Sequence, residues 1–98
     1  MDDEWTGWQV YILECSDSTL YTGIALDPDT RLRQHNSGKG SKYTRSRLPL
    51  ALVYREAVGS RGDALRREAE IKRLSRQEKQ QLISSIALEK RGGGATQG

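Results

Sequence analysis

Arg31 and His35 are four residues apart in a segment with the features of a helix, so their side chains project from one face of it. A guanidinium can grip a phosphate through paired hydrogen bonds, while a neighbouring imidazole can hold or release a proton near neutral pH. This combination suits the chemistry of a phosphate ester. By itself, the spacing favours two solvated surface side chains.

Glu68 is a carboxylate that the helical pattern places among apolar side chains. At about 100° per residue it points near the middle of an apolar arc. Burial of a carboxylate is costly unless a cation or a metal compensates it. Two interpretations stay open: an ion pair with Lys72 at the rim of the core, or an inward acid that holds Mg²⁺ with water and phosphate oxygens. The arc consists of Ala64, Leu65, Ala69, Ile71 and Leu74.

Tyr11 and Tyr21 lie in two segments that are typical of a β-hairpin. Residues 8–15 are rich in β-branched and aromatic side chains and predict a strand. The Ser-Asp-Ser sequence at 16–18 predicts a turn, and residues 19–25 predict the second strand of the hairpin. If the turn is centred on its first serine, Tyr11 faces Tyr21, and Gly23 lies two residues further along the same face. A slip of two residues leaves the tyrosines diagonal neighbours, so either register brings two phenols close together.

Capping residues divide the rest of the chain into three helices and one further strand. Asp27 followed by Pro28 starts the first helix, Asp63 or Ser60 caps the second, and a capping box at Ser75 starts the third. The order β-β-α-β-α-α predicts an α+β domain with a small, mainly antiparallel three-stranded sheet flanked by helices. The later elements are predicted at 28–36, 51–57, 64–74 and 75 to about 88.

Length and composition are those of one small polar-surfaced domain, which we assign to residues 1–90. Residues 91–98 have no apolar anchor and are expected to form a disordered C-terminal tail. No apolar run approaches the roughly 18–20 residues of a membrane span, and the acidic N-terminus does not resemble a signal peptide, which predicts a cytoplasmic protein. Cys15 is the one cysteine. A buried structural thiol is favoured there over a Cys15–His35 nucleophile pair.

Positive charge is concentrated in residues 30–55, which hold seven Arg and Lys residues and no Asp or Glu. The rest of the chain carries nine basic and thirteen acidic residues. Such a segregated field is typical of a surface that binds a phosphodiester backbone, although a solvated surface is the alternative. The side chains expected to track DNA, with the tyrosine stacking on a base, are Arg33, Lys39, Lys42, Tyr43, Arg45 and Arg47.

Taken together, these positions resemble the GIY-YIG nuclease superfamily, and in particular its small stand-alone bacterial members. The likeness spans roughly residues 8–85 and is closest in the run RLRQHNSGKGSKYTRSRLPLALVYRE. The matching positions are Val10-Tyr11-Ile12 at the first motif, Tyr21-Thr22-Gly23 at the second, and Arg31, His35 and Glu68 at the arginine, His/Tyr and metal-glutamate positions.

The resemblance implies a metal-dependent endonuclease. Glu68 would anchor one divalent ion, Mg²⁺ or Mn²⁺, on the scissile phosphate, and Arg31 would neutralise charge on the phosphoryl oxygens. Gly23 would let the backbone approach the substrate closely. DNA is the implied substrate, cut selectively by structure or with weak specificity during repair, recombination or processing. RNA stays open as a substrate, and a protein partner could supply specificity.

Either Tyr11 or Tyr21 would take the proton of the attacking water. A free tyrosine has a pKa of about 10, so nearby cations and a hydrogen bond to His35 would have to lower it. Ile24 stands where some relatives carry a lysine proposed to assist the base, so His35 carries more of this task. The alternatives are a non-catalytic nucleic-acid-binding module with the same fold, and an adaptor that acts through protein contacts.

Overall fold

The computed structural model describes residues 7–95, with side chains described for residues 7–85. Its elements confirm the predicted order, with a π-helical turn and one short helix added between the first helix and the third strand. The elements are β1 (Trp8–Glu14), β2 (Leu20–Ala25), α1 (Pro28–Gln34), a π-helical turn (His35–Lys39), α2 (Lys42–Arg45), β3 (Ala51–Gly59), α3 (Arg61–Lys72) and α4 (Arg76–Ala95). Among the described residues, no helix combines the length and the apolar character needed to cross a membrane.

The three strands form one antiparallel sheet in the order β2-β1-β3, as predicted. The middle strand β1 is buried along almost its whole length, because alternate residues point to opposite faces and both faces are covered. Two hydrophobic clusters cover the sheet: one is formed by Val10, Ile12, Tyr54, Ala64 and Ile71, and the other by Tyr11, Leu13, Cys15, Ala25 and Leu50. Cys15 is buried in the second cluster, as the structural interpretation of this thiol predicts.

The hairpin register differs from the first of the two predicted alignments. Tyr11 pairs with Gly23, and Tyr21 pairs with Leu13, so the two tyrosines are diagonal neighbours. The turn is centred on Asp17 rather than on the serine before it, because the Asp17 carboxylate accepts hydrogen bonds from the Thr19 backbone N–H at 3.1 Å and from its hydroxyl at 2.6 Å. An aspartate that organises its own turn in this way selects the loop length.

The predicted helix starts are confirmed. The Asp27 carboxylate accepts a hydrogen bond from Thr30 N at 3.3 Å, and Ser60 rather than Asp63 caps α3. Ser75 and Glu78 form the reciprocal capping box, with N–H to oxygen distances of 2.8 and 3.1 Å. The α1 helix ends at Gln34, two residues before the predicted end, and continues into the π-helical turn, in which Gly38 leaves helical geometry with a φ of 87°.

The C-terminal helix is longer than predicted. The backbone of α4 is helical to Ala95, whereas the sequence pattern predicts an end near residue 88 and a disordered tail over residues 91–98. Once a helix is nucleated, each further residue adds one hydrogen bond, and no proline follows the capping box to stop it. Residues 96–98 of the predicted tail lie outside the described residues, and the domain boundary at residue 90 stays a prediction.

Candidate active site

The side chain of Tyr11, on the central strand, occupies space above Gly23, its partner on β2, which has no side chain. Tyr11 is 1% exposed. A Cβ atom on Gly23 would lie 2.6 Å from the Tyr11 hydroxyl oxygen and 2.8 Å from Cζ, closer than such atoms can approach. The space that the missing Gly23 side chain creates is therefore filled by the Tyr11 phenol.

A methyl group at position 23 is expected to displace this phenol. We expect Gly23→Ala to lower the free energy of unfolding by about 1–3 kcal/mol, the usual cost of overpacking, and to reduce any activity that depends on Tyr11. Urea denaturation measures the first effect. Gly62→Ala on α3 is the matched control, since a Cβ at Gly62 meets no atom within 4 Å and should leave stability unchanged or higher. Equal losses in both variants would contradict the packing argument.

Four of the predicted catalytic residues meet around the Tyr11 hydroxyl. Burial raises the pKa of Tyr11 above 10.0, and the neighbouring Tyr21 raises it further. The charge of Arg31 and a hydrogen bond from Arg31 oppose this rise, while the charge of Glu68 adds a smaller increase to the pKa. The strands β1 and β2 therefore place two phenols close to the guanidinium of Arg31 on α1 and the carboxylate of Glu68 on α3.

Glu68 faces inward from α3, as the helical pattern predicts, although the arc differs in detail. The inward residues are spaced by three and four along the helix: Ala64, Arg67, Glu68 and Ile71. Leu65 is 40% exposed and Ala69 is also exposed, which corrects two members of the predicted apolar arc. The sheet is narrow, so it covers only one side of the helix and leaves these two residues in solvent.

The Glu68 side chain is 19% exposed, and its Oε2 atom lies 3.2 Å from Lys72 Nζ. The ion pair of the first interpretation therefore exists, and the same carboxylate also faces the Tyr11 cluster. Within residues 7–85, no group of three or more His, Cys, Asp or Glu side chains gathers in a way that could hold a metal ion. A lone carboxylate still fits Mg²⁺, which commonly takes one or two protein oxygens and keeps several waters.

His35 is buried at the start of the π-helical turn, with 3% of its surface exposed. Its Nδ1 atom lies 2.9 Å from the hydroxyl of Thr44, which is fully buried. The Thr44 hydroxyl also lies 3.0 Å from the carbonyl oxygen of Ser41 and 3.2 Å from the Ser41 hydroxyl. A small network of hydroxyl groups therefore holds the Nδ1 side of the His35 imidazole in place.

Gly40 completes the socket of this imidazole. A Cβ atom on Gly40 would lie 2.0 Å from His35 Nδ1, so no side chain fits there. Thr44 and Gly40 were not identified from the sequence, because both lie in a polar stretch with the composition of a surface loop. The local signal is a glycine and a threonine five and nine residues after the histidine, and only the tertiary path of the loop gives that spacing a meaning.

The buried state of His35 has a measurable pH consequence. Burial lowers the pKa of His35 below 6.5, and the charge of Arg31 lowers it further. The unfolded chain therefore binds a proton at a higher pH than the native protein does, so acidification favours unfolding. We expect the free energy of unfolding to fall between about pH 7 and about pH 5, and the imidazole signals in an NMR titration to give a pKa below 6.5.

The NMR signal is unambiguous because the chain has a single histidine. His35→Gln is the control for the denaturation experiment, and its stability should change less over this pH range. The range lies above that in which Asp17 and Asp27 titrate, since hydrogen bonds from Thr19 and Thr30 lower the pKa of those carboxyls. An NMR pKa at or above 6.5 would contradict the buried, neutral imidazole.

Tyr21 stands between two open clefts. Its ring lies edge-on to His35, with 5.3 Å between ring centroids, and nearly parallel to Tyr43 at 6.2 Å. The described hydrogen bond of His35 goes to Thr44 rather than to Tyr11 or Tyr21. Besides Tyr21, the first cleft of about 230 Å³ is lined by Arg31, Gln34, His35, Lys39, Gly40 and Ser41. The second, of about 330 Å³, is lined by Leu20, Thr22, Tyr43, Lys72 and Lys79.

The predicted nucleic-acid-binding residues do not all meet at these clefts. Lys39 and Tyr43 line them, whereas Arg33, Lys42 and Arg45 are exposed outside their linings. Arg47 lies 3.8 Å over the ring of Tyr43 and pairs with Asp17 at 3.1 Å. One face of Tyr43 is thus covered by Arg47, which leaves less room for a stacked base than the sequence suggests.

Comparison with known proteins identifies the architecture. The model of the GIY-YIG catalytic domain matches residues 7–81. The chain belongs to the GIY-YIG family. Two similar GIY-YIG relatives are a UPF0213 protein of Syntrophus aciditrophicus, 60% identical over 76% of this chain and 86% of that protein, and one of Staphylococcus haemolyticus, 50% identical over 76% and 90%.

Two solved structures share this GIY-YIG fold. The solution structure of a UPF0213 protein from Bacillus halodurans has a TM-score of 0.52 and 52% identity, covering 79% of this chain and 82% of that one. A solution structure of a protein from E. faecalis has a TM-score of 0.55 and 36% identity, covering 82% and 85%. The fold class and the family predicted from the sequence are therefore confirmed, and the family is one of nucleases.

Proposed function

We propose that this GIY-YIG chain is a divalent-metal-dependent endonuclease that hydrolyses phosphodiester bonds of DNA. The observation that carries the proposal is the meeting of Tyr11, Tyr21, Arg31 and Glu68 beside two clefts whose charged lining is basic. A phosphodiester would find cations for its oxygens, a carboxylate for a metal and a phenol for the proton of water within one small volume.

The fit of a metal ion rests on the donor set. Glu68 would hold Mg²⁺ or Mn²⁺, and a bound ion supplies positive charge to the scissile phosphate and to its leaving oxygen. Arg31 then grips the phosphoryl oxygens and offsets the charge that builds up on them in the transition state. Arg31 is exposed and its guanidinium donates to Gln34 at 3.2 Å, so it is accessible to a substrate.

Tyr21 is the better placed of the two tyrosines to take the proton of the attacking water. It lines both clefts, whereas Tyr11 is almost fully buried and burial raises the pKa of Tyr11, which disfavours its phenolate. The neutral His35 lies beside Tyr21, and a neutral imidazole has one unprotonated ring nitrogen that can accept a proton. We infer that Tyr11, whose raised pKa the nearby Arg31 partly lowers, helps to position that guanidinium.

The substrate range follows from the size of the described unit. Residues 7–95 form one sheet with its helices and no second folded unit for reading base sequence. This supports cutting that is selective for DNA structure or only weakly specific, in repair, recombination or processing in the cytoplasm. A protein partner would be the source of any tight specificity.

Cleavage of branched, flapped and single-stranded DNA, and of RNA of the same sequence, tests the proposal. We expect cutting of at least one DNA with Mg²⁺ or Mn²⁺ and none with EDTA. Salt-sensitive binding without cutting under any divalent ion would instead support a non-catalytic nucleic-acid-binding module. Little salt-dependent affinity for any nucleic acid would support an adaptor that acts through protein contacts.

A further inference from the structure

The second cleft contains two lysines that lie outside the basic segment of the sequence. Lys72 comes from α3 and Lys79 from α4, and both line the cleft beside Tyr21. Lys79 is only partly exposed, and among the described residues it has no acidic partner. A lysine ammonium in this position, at the wall of a cleft, is available to pair with an anion that enters the cleft.

A specific contact holds Lys79 over the hairpin. Arg76, at the start of α4, donates a hydrogen bond at 2.7 Å to the carbonyl oxygen of Ser18 in the hairpin turn. Lys79 is three residues further along the same helix and therefore lies on the same face as Arg76. The ammonium of Lys79 is thus brought to the β2 side of the cleft by the packing of the fold.

Lys72 links this cleft to the proposed metal ligand. In the described structure its ammonium pairs with the Glu68 carboxylate at 3.2 Å. A cation bound by Glu68 would compete for the same oxygens and release the Lys72 ammonium. Lys72 is 56% exposed on the cleft side, so the released charge is available to an anion there.

From these contacts we propose that the cleft lined by Tyr43, Lys72 and Lys79 is a second phosphate subsite. It binds a backbone phosphate of the same strand, on the far side of Tyr21 from the cleft of Arg31 and Lys39. The strand would then cross Tyr21, with one phosphate on either side of the phenol. This inference rests on the proposed function, because it names the path of that substrate.

The salt dependence of DNA binding tests the subsite without requiring cleavage. The affinity of the full chain for a fluorescein-labelled branched DNA is measured by anisotropy in EDTA at several salt concentrations, for wild type, Lys79→Gln and Arg66→Gln. Each phosphate contact contributes about 0.9 to the slope of log affinity against log salt. We expect Lys79→Gln to lower that slope by about this amount.

Arg66→Gln is the matched control. It removes one positive charge from the exposed face of α3, where Arg66 pairs with Asp63 and lines no part of the cleft. Its slope should equal that of wild type. An unchanged slope for Lys79→Gln, or an equal change in both variants, would overturn the subsite. A lowered slope for Lys79→Gln alone, in a protein that cuts no DNA, would support the subsite and refute the nuclease activity.

Discussion

Glu68→Gln is expected to lower the rate of divalent-ion-dependent DNA cleavage by about three orders of magnitude or more. A bound metal supplies several kcal/mol of transition-state stabilisation, and each 1.4 kcal/mol corresponds to about a factor of ten. Within residues 7–85, no group of three or more His, Cys, Asp or Glu side chains forms an alternative metal site. The measurement is the single-turnover rate on end-labelled DNA, with affinity for the same DNA measured in EDTA.

Binding in EDTA should not weaken, because Glu68 contributes no positive charge to the clefts and its replacement releases the Lys72 ammonium. The Glu68–Lys72 ion pair, which this variant loses, contributes little to stability because the Lys72 side chain is largely exposed to solvent. Glu70→Gln is the matched control: it lies on the same helix, about 200° away, and accepts a hydrogen bond from Arg67 at 3.1 Å. Equal rates for the Glu68→Gln protein and wild type would contradict the one-metal site.

Tyr21→Phe is expected to lower the cleavage rate by about 10²–10⁴-fold, the range in which a general base contributes. The variant keeps the ring that contacts His35 and Tyr43, so the packing of the site is preserved. Tyr11→Phe should lower the cleavage rate by about tenfold or less, because it removes only a buried hydroxyl near Arg31. Single-turnover rates across a pH series measure both effects.

The pH series separates a base from a positioning residue. Loss of the Tyr21 hydroxyl should flatten the rise of rate with pH, whereas Tyr11→Phe should lower the rate at every pH and keep its profile. A Tyr11→Phe protein that loses the pH dependence while the Tyr21→Phe protein retains it would exchange the two roles. Circular dichroism of both variants checks that each is folded.

The features that the sequence predicted well are governed by local contacts. Asp27, Ser60 and Ser75 cap the helices that follow them, because a side-chain oxygen within three residues satisfies a free N–H. Glu68 faces inward because its helical phase depends only on its own neighbours in the chain. The first of the two predicted hairpin registers was wrong, because the pattern of the strands does not show which residue organises the turn. That residue is Asp17, through its hydrogen bonds with Thr19.

The remaining parts of the site depend on contacts between distant segments. The socket of His35 is built by Gly40 and Thr44, which become its neighbours only because the chain breaks helical geometry at Gly38. The approach of Lys79 requires α4 to dock on the hairpin through Arg76. Neither contact is marked in the sequence by a hydrophobic periodicity or by a helix-capping residue, so the sequence alone does not predict it.

The most direct test of the proposed site is the cleavage rate of wild-type protein on one end-labelled branched DNA as Mg²⁺ is titrated from an excess of EDTA. A single Glu68-bound ion predicts no cutting in EDTA and a rate that rises with Mg²⁺ and saturates along a one-site curve. Cutting that continues at the same rate in EDTA would contradict this account, as would a complete absence of cutting at every Mg²⁺ and Mn²⁺ concentration by a folded protein that binds the DNA.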